Sequence, residues 1–249
     1  MKRGAIIAFA ATAIIGAASA AYAASATIVG SPHDLSAVAD GGSKTTQVCV
    51  FCHTPHNAAQ NVPLWNRSNP AGAGFKLYTS SATLQMKSSV LTGFSSDSIS
   101  LFCMGCHDGG ALAGSRIHNE PAASGAANNG LIPDSRYASA AFDSDGAAGA
   151  NLPTNNANFG TNLTSSHPVN FPYNEGLDTA FNAKSGTKVG TNIPLFYASV
   201  GGGGAKVLAV ECSSCHAVHG ANGPGGNMMP KFIRSTMKGS ALCVACHKK

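Results

Sequence analysis

The sequence predicts a chain that is mostly loop, with short helices at one recurring motif, little or no sheet, and a core that side chains alone do not build. Three observations predict it. Glycine supplies 29 of 249 residues and proline 12, while tryptophan occurs once; such a composition resists long helices and offers few large side chains for an ordinary interior. Between Asp108 and Ser166 the chain is mainly Ala, Gly, Ser and Asn, as in AASGAANNG and NLPTNNANFG. All eight cysteines fall into four C-x-x-C-H units, and none lies outside them.

The units are CVFCH at 49–53, CMGCH at 103–107, CSSCH at 212–216 and CVACH at 243–247. If each is one helical turn, Cys i, Cys i+3 and His i+4 share a face. The two sulfurs can then form thioethers to the vinyl groups of one porphyrin, with the histidine pointing at the iron. Cys49, Cys52, Cys103, Cys106, Cys212, Cys215, Cys243 and Cys246 are therefore the expected attachment residues for four covalent haems c, and His53, His107, His216 and His247 their proximal ligands. Zinc can use Cys and His but does not require a histidine directly after every second cysteine. A thioredoxin-like pair would want a βαβ setting, which none of the units shows. Disulfides suit an exported protein, but four adjacent-pair loops would tie down little chain.

The remaining elements follow in order. Lys2 and Arg3 precede an apolar run, Ala5 to Ala20, and the small-residue site Ala21-Tyr22-Ala23. This is the layout of a cleaved secretory signal, residues 1–23. The run is short and Ala-rich beside the roughly 20 strongly apolar residues of a membrane span, and no later segment is apolar enough to span. Residues 24–249 form the expected single domain, with a low-complexity loop at about 111–165; 121–160 also suit a disordered segment. Helices are expected at 98–107 and 234–247, with 83–91 a further candidate, and GGGG at 201–204 marks a hinge or tight loop. Four macrocycles would be the large apolar bodies that the chain wraps. Without Lys2 and Arg3, 14 basic residues face 11 acidic ones, a net of about +3. The basic residues are scattered, which argues against a nucleic-acid footprint.

Nine histidines are present, so five remain after the proximal four: His33, His56, His118, His167 and His219. His56 follows His53 by three, in CVFCHTPH, and His219 follows His216 by three, in CSSCHAVH. Axial ligands occupy opposite faces of a porphyrin, so a histidine three residues on cannot easily close its own haem. Each doubled segment is expected to hold a proximal ligand to one haem and a distal ligand to a neighbour, bringing two porphyrins into contact. His33, His118 and His167 compete for the other two distal positions. Methionine ligands are known in such sites, but enough histidines exist without them.

The order SPHDLS, CVFCHTPHN, PLWNR, CMGCHDG, SSHPVNF, CSSCHAVHG and LCVACHKK resembles the multihaem c-type cytochromes with doubled CxxCH motifs of metal-reducing bacteria. Within them it is similar to the OmcE-type tetrahaem cytochromes that polymerise into extracellular filaments. The resemblance implies bis-histidine ligation throughout, with His33, His56, His167 and His219 as the distal set and His118 as the spare. It also implies a core of four stacked haems, and, from the place of His33 near the N-terminus, ligation by His33 of a haem in the neighbouring subunit. The sequence departs from relatives at CSSCHAVHG, where an acidic residue and Pro are more usual between the histidines.

The expected function is electron transfer without substrate chemistry, in a homopolymeric filament at the outer cell surface. Its partners would be further copies of the chain, other redox proteins of the cell envelope and extracellular acceptors such as metal oxides. A soluble periplasmic tetrahaem shuttle is the alternative. An enzyme, such as a multihaem reductase, would need a five-coordinate haem with acid or base groups nearby; no variant attachment motif marks one, and no enzymatic activity is expected.

Overall fold

In the computed structural model the described residues are 28–29, 31, 33–34, 48–56, 58, 63–78, 93–108, 159–190, 192–200, 205–221 and 229–248. The expected signal, the 83–91 helix, GGGG, His118 and nearly all of the low-complexity loop lie outside them. Among the described residues no helix is long and apolar enough to cross a membrane.

Helices are short and sit at the motifs. The longest described, α1 (Ser100–His107), carries the second unit. It turns Leu101 and Met104 into a cluster with Phe75, Leu77, Phe94 and Leu163. The third unit forms α2 (Cys212–Cys215), and the fourth begins in α3 (Ala241–Val244). The first is a single 3₁₀ turn, Val48–Phe51.

Two small antiparallel sheets extend the expectation of little or no sheet. β1 (Phe171–Pro172), β6 (Val207–Val210) and β5 (Phe196–Ala198) pair in the order β1-β6-β5; β2 (Lys184–Ser185), β3 (Lys188–Val189) and β4 (Ile193–Pro194) form the second in chain order. Phe171 pairs with Val210 in register. Their apolar faces meet around Phe171, Tyr173, Val189, Leu195 and Val210, with Phe181 and Cys246 packed against them. This places β6 as the rigid lead into α2, and the cluster as the floor under the fourth motif. Gly190 is needed there: its φ is +58°, and a Cβ would stand 3.1 Å from that of Ala245.

Candidate haem-binding site

Each motif is closed locally in the way its spacing demands. The backbone N–H of the histidine donates to the carbonyl of the first cysteine: His53 to Cys49 at 2.8 Å, His216 to Cys212 at 3.0 Å and His247 to Cys243 at 2.9 Å. This is the i to i−4 bond of one helical turn. It brings both cysteines and the histidine to one side, whether or not the turn continues. At the second unit the turn belongs to α1, and the His107 carbonyl accepts from Phe159 N–H at 2.9 Å.

After the turn, three of the four histidines leave the helix and pair with a short extended strap. His53 bridges Trp65, His216 bridges Ile233 and His247 bridges Phe181. Asn66 ties the first strap down twice, through its N–H to the Cys52 carbonyl (2.9 Å) and its Nδ2 to the Val50 carbonyl (2.7 Å). Arg234 does so for the third, donating from N–H to Cys215 O (2.9 Å) and from Nε to Ser213 O (2.8 Å). Asn182 Nδ2 spans the carbonyls of Val244 (2.9 Å) and Ala245 (3.1 Å) at the fourth. Residues 63–67, PLWNR, are the strap of the first site.

The straps also orient the rings. His53 Nδ1 meets the Pro63 carbonyl at 2.8 Å and His216 Nδ1 the Lys231 carbonyl at 2.8 Å. His167 Nδ1 meets the Pro168 carbonyl at 2.9 Å. A carbonyl only accepts, so these contacts place the proton on Nδ1 and leave Nε2 with the lone pair a metal needs.

Histidine rings then approach one another in pairs, edge-on or tilted, with interplanar angles of 44° to 78°, each joining a motif histidine to one of the expected distal set. Ring centroids are 6.0 Å apart for His53 and His219, 6.1 Å for His33 and His107, and 6.4 Å for His167 and His247. Two imidazoles bonded to one metal at about 2 Å, with about 1.1 Å from each nitrogen to its ring centre, put the centroids about 6.2 Å apart. The residues therefore fit a haem iron held between two histidines. Among the described residues no cluster of three or more His, Cys, Asp or Glu could hold a metal ion. His216 and His56 are left over from the expected proximal and distal sets, His56 being exposed with its carbonyl accepting from Thr54 Oγ1 at 2.9 Å.

His33 is the most enclosed of the distal candidates among the described residues. Its ring stacks on Phe232 at 4.4 Å, and Nδ1 is buried without a hydrogen-bond partner. Burial, with the nearby His107, lowers its pKa to about 4, which keeps the imidazole in the neutral form that ligates. Lys231 and Phe232 both take the left-handed conformation, with φ of 53° and 57°, rare for residues with a Cβ. That turn presents the Lys231 carbonyl to His216 and the Phe232 ring to His33, a pair of roles with no sequence signal.

The eight cysteines are all unpaired by disulfides. Their sulfurs sense one another in chain order. Burial pushes the Cys52 thiol up to about 12, helped by Cys106. Cys103 and Cys212 share a hydrogen bond that raises the first and lowers the second. Cys215 is raised by burial and then by Cys212 and Cys243, and Cys246 goes to about 11 by burial and then Cys215. Four thiols, of Cys52, Cys103, Cys215 and Cys246, are thus held toward the protonated form, away from the thiolate of a redox-active pair.

One carboxylate organises the junction of the second and third sites. Glu211 is fully buried and accepts from Ser98 Oγ (2.7 Å) and from Ser100 Oγ. It also caps α2 in a reciprocal box with Ser214, whose Oγ accepts the Glu211 N–H at 3.0 Å. Ser100 Oγ in turn accepts the Cys212 N–H at 2.9 Å. Burial raises the Glu211 pKa against the pull of the two hydroxyls. Ser100→Ala is expected to destabilise the haem-loaded protein by about 1–3 kcal/mol, because it strips one donor from Glu211 and one acceptor from Cys212. Denaturant unfolding measures this, with Ser100→Thr restoring most of the loss. An unmoved midpoint would mean the network carries no stability.

The model of a doubled CXXCH motif matches residues 205–249, the span that holds β6 and the third and fourth units. That motif is one of covalent haem c attachment. No curated protein matches the sequence.

Proposed function

We propose that the protein is a tetrahaem electron-transfer cytochrome in which every iron takes two histidines of the chain. The pairs are His53 with His219, His107 with His33, His247 with His167, and His216 with His56. The observation that carries this reading is the approach of three motif-histidine rings to three of the expected distal ones at 6.0, 6.1 and 6.4 Å. The iron would supply reversible one-electron exchange, tuned by its axial ligands and burial. The chain's part is to attach each group by two sulfurs, to fix both ligands with straps and to close both axial positions against substrate. His33 is used within its own chain in this scheme; ligation by His33 of a haem in a neighbouring subunit is the alternative that the resemblance implies.

The same reading places the protein in an extracellular filament that conducts electrons to external acceptors. Its support is the order of the segments flanking the motifs, from SPHDLS to LCVACHKK. Negative-stain electron microscopy of haem-loaded protein from its native surface fraction tests it. Thin filaments of regular repeat, identified as this polypeptide, are expected; compact particles alone, across pH and salt, would instead indicate a periplasmic shuttle.

A further inference from the structure

Arg67 is the largest fully buried side chain among the described residues, and its Nε, Nη1 and Nη2 all lack a hydrogen-bond partner. A guanidinium cannot discharge by losing its proton, and a buried charge left unpaired is among the costliest arrangements a fold can hold. The backbone gives it no room to swing out. Trp65 is bridged to His53 and packs on Phe102 of α1 at 4.9 Å, while Asn66 is fastened to Val50 and Cys52. Arg67 thus lies at the end of a clamped strap, directly after Asn66, whose N–H holds the Cys52 carbonyl of the first unit at 2.9 Å.

What such a group lacks is a planar anion that can take several parallel N–H bonds. Resting on the haem reading above, we propose that Arg67 is a haem-carboxylate site, holding a propionate of a haem next to the one carried by Cys49 and Cys52. The propionates of a haem lie on the edge opposite its thioethers, so the haem on Cys52 turns its own carboxylates away from this side. A neighbour's propionate is the anion that stacking would deliver, and Arg67 then ties two haem groups together while its charge favours the reduced state nearby.

The test compares haem-loaded wild type with Arg67→Met and Arg67→Lys. Intact mass first counts the haems; a chain without them would overturn the haem reading and leave this one without a subject. With haem count unchanged, Arg67→Met is expected to shift the propionate bending modes in the resonance Raman spectrum. It should also lower one reduction potential while leaving the rest in place. Arg67→Lys keeps the charge but not the fork, so the modes shift and the potentials hold. Propionate modes unchanged in both variants would overturn the proposal, and if Arg67→Met does not accumulate, unchanged modes in Arg67→Lys alone do so.

Discussion

Cys103→Ser combined with Cys106→Ser is expected to yield a protein with one haem fewer and no cooperative unfolding transition. The second unit sits on α1, which is packed from several sides. Leu101 and Met104, 3% and 1% exposed, enter the cluster with Phe75 and Phe94. Phe102 meets Trp65 of the first strap at 4.9 Å. Cys103 meets Cys212, and Ser100 holds the start of α2. The helix therefore joins the first and third sites to the second. Removing a bound macrocycle leaves a void far larger than the Phe-to-Ala changes that cost about 3–5 kcal/mol. A domain has only about 5–15 kcal/mol to lose. Intact mass and haem staining give the haem count, and far-ultraviolet circular dichroism on heating gives the transition. A variant with wild-type mass gain and a wild-type melt would show that 103–107 is not an attachment site.

Much of the site was legible because covalent chemistry prescribes a local spacing. The expected helix at 98–107 is α1, Ser100–His107. The expected helix at 234–247 is not continuous: Gly239 and Ser240 take φ of 62° and 59°, so a 3₁₀ turn at Lys238–Ser240 precedes a helix of only Ala241–Val244. Nothing in STMKGSALC announces that break. The sheets were hidden for a different reason. Strands of two to four residues are too short to display an alternating pattern, and β1 finds its partner β6 far along the chain. Counting histidines gave how many distal ligands there should be. Which motif-histidine ring each one approaches depends on the straps at Trp65, Ile233 and Phe181, whose residues carry no chemistry of their own. Arg67 was invisible as a site, since an arginine reads as a surface residue until its burial is known.

His219→Ala should open one iron, and that iron should be the first rather than the third. The sequence alone requires only that His219 serve a haem other than the one on His216, three residues before it. The structure sets its ring 6.0 Å from that of His53, with His53 Nδ1 already engaged by the Pro63 carbonyl. Loss of His219 would leave His53 as the sole axial ligand of the haem on Cys49 and Cys52. High-spin signal by electron paramagnetic resonance and carbon monoxide binding at one site per chain are expected beyond whatever the wild type shows. His219 is exposed, so the substitution itself costs the fold little. Identity of the opened haem follows from a second comparison. In a Cys49→Ser/Cys52→Ser background, which lacks the first haem, His219→Ala should add no further high-spin signal. An added signal there would assign His219 to a different iron and remove the crosswise exchange between CVFCHTPH and CSSCHAVH. The exchange matters because it explains why both segments carry the second histidine: each would complete the other's site, so neither haem can be fully ligated unless the two attachment segments lie side by side.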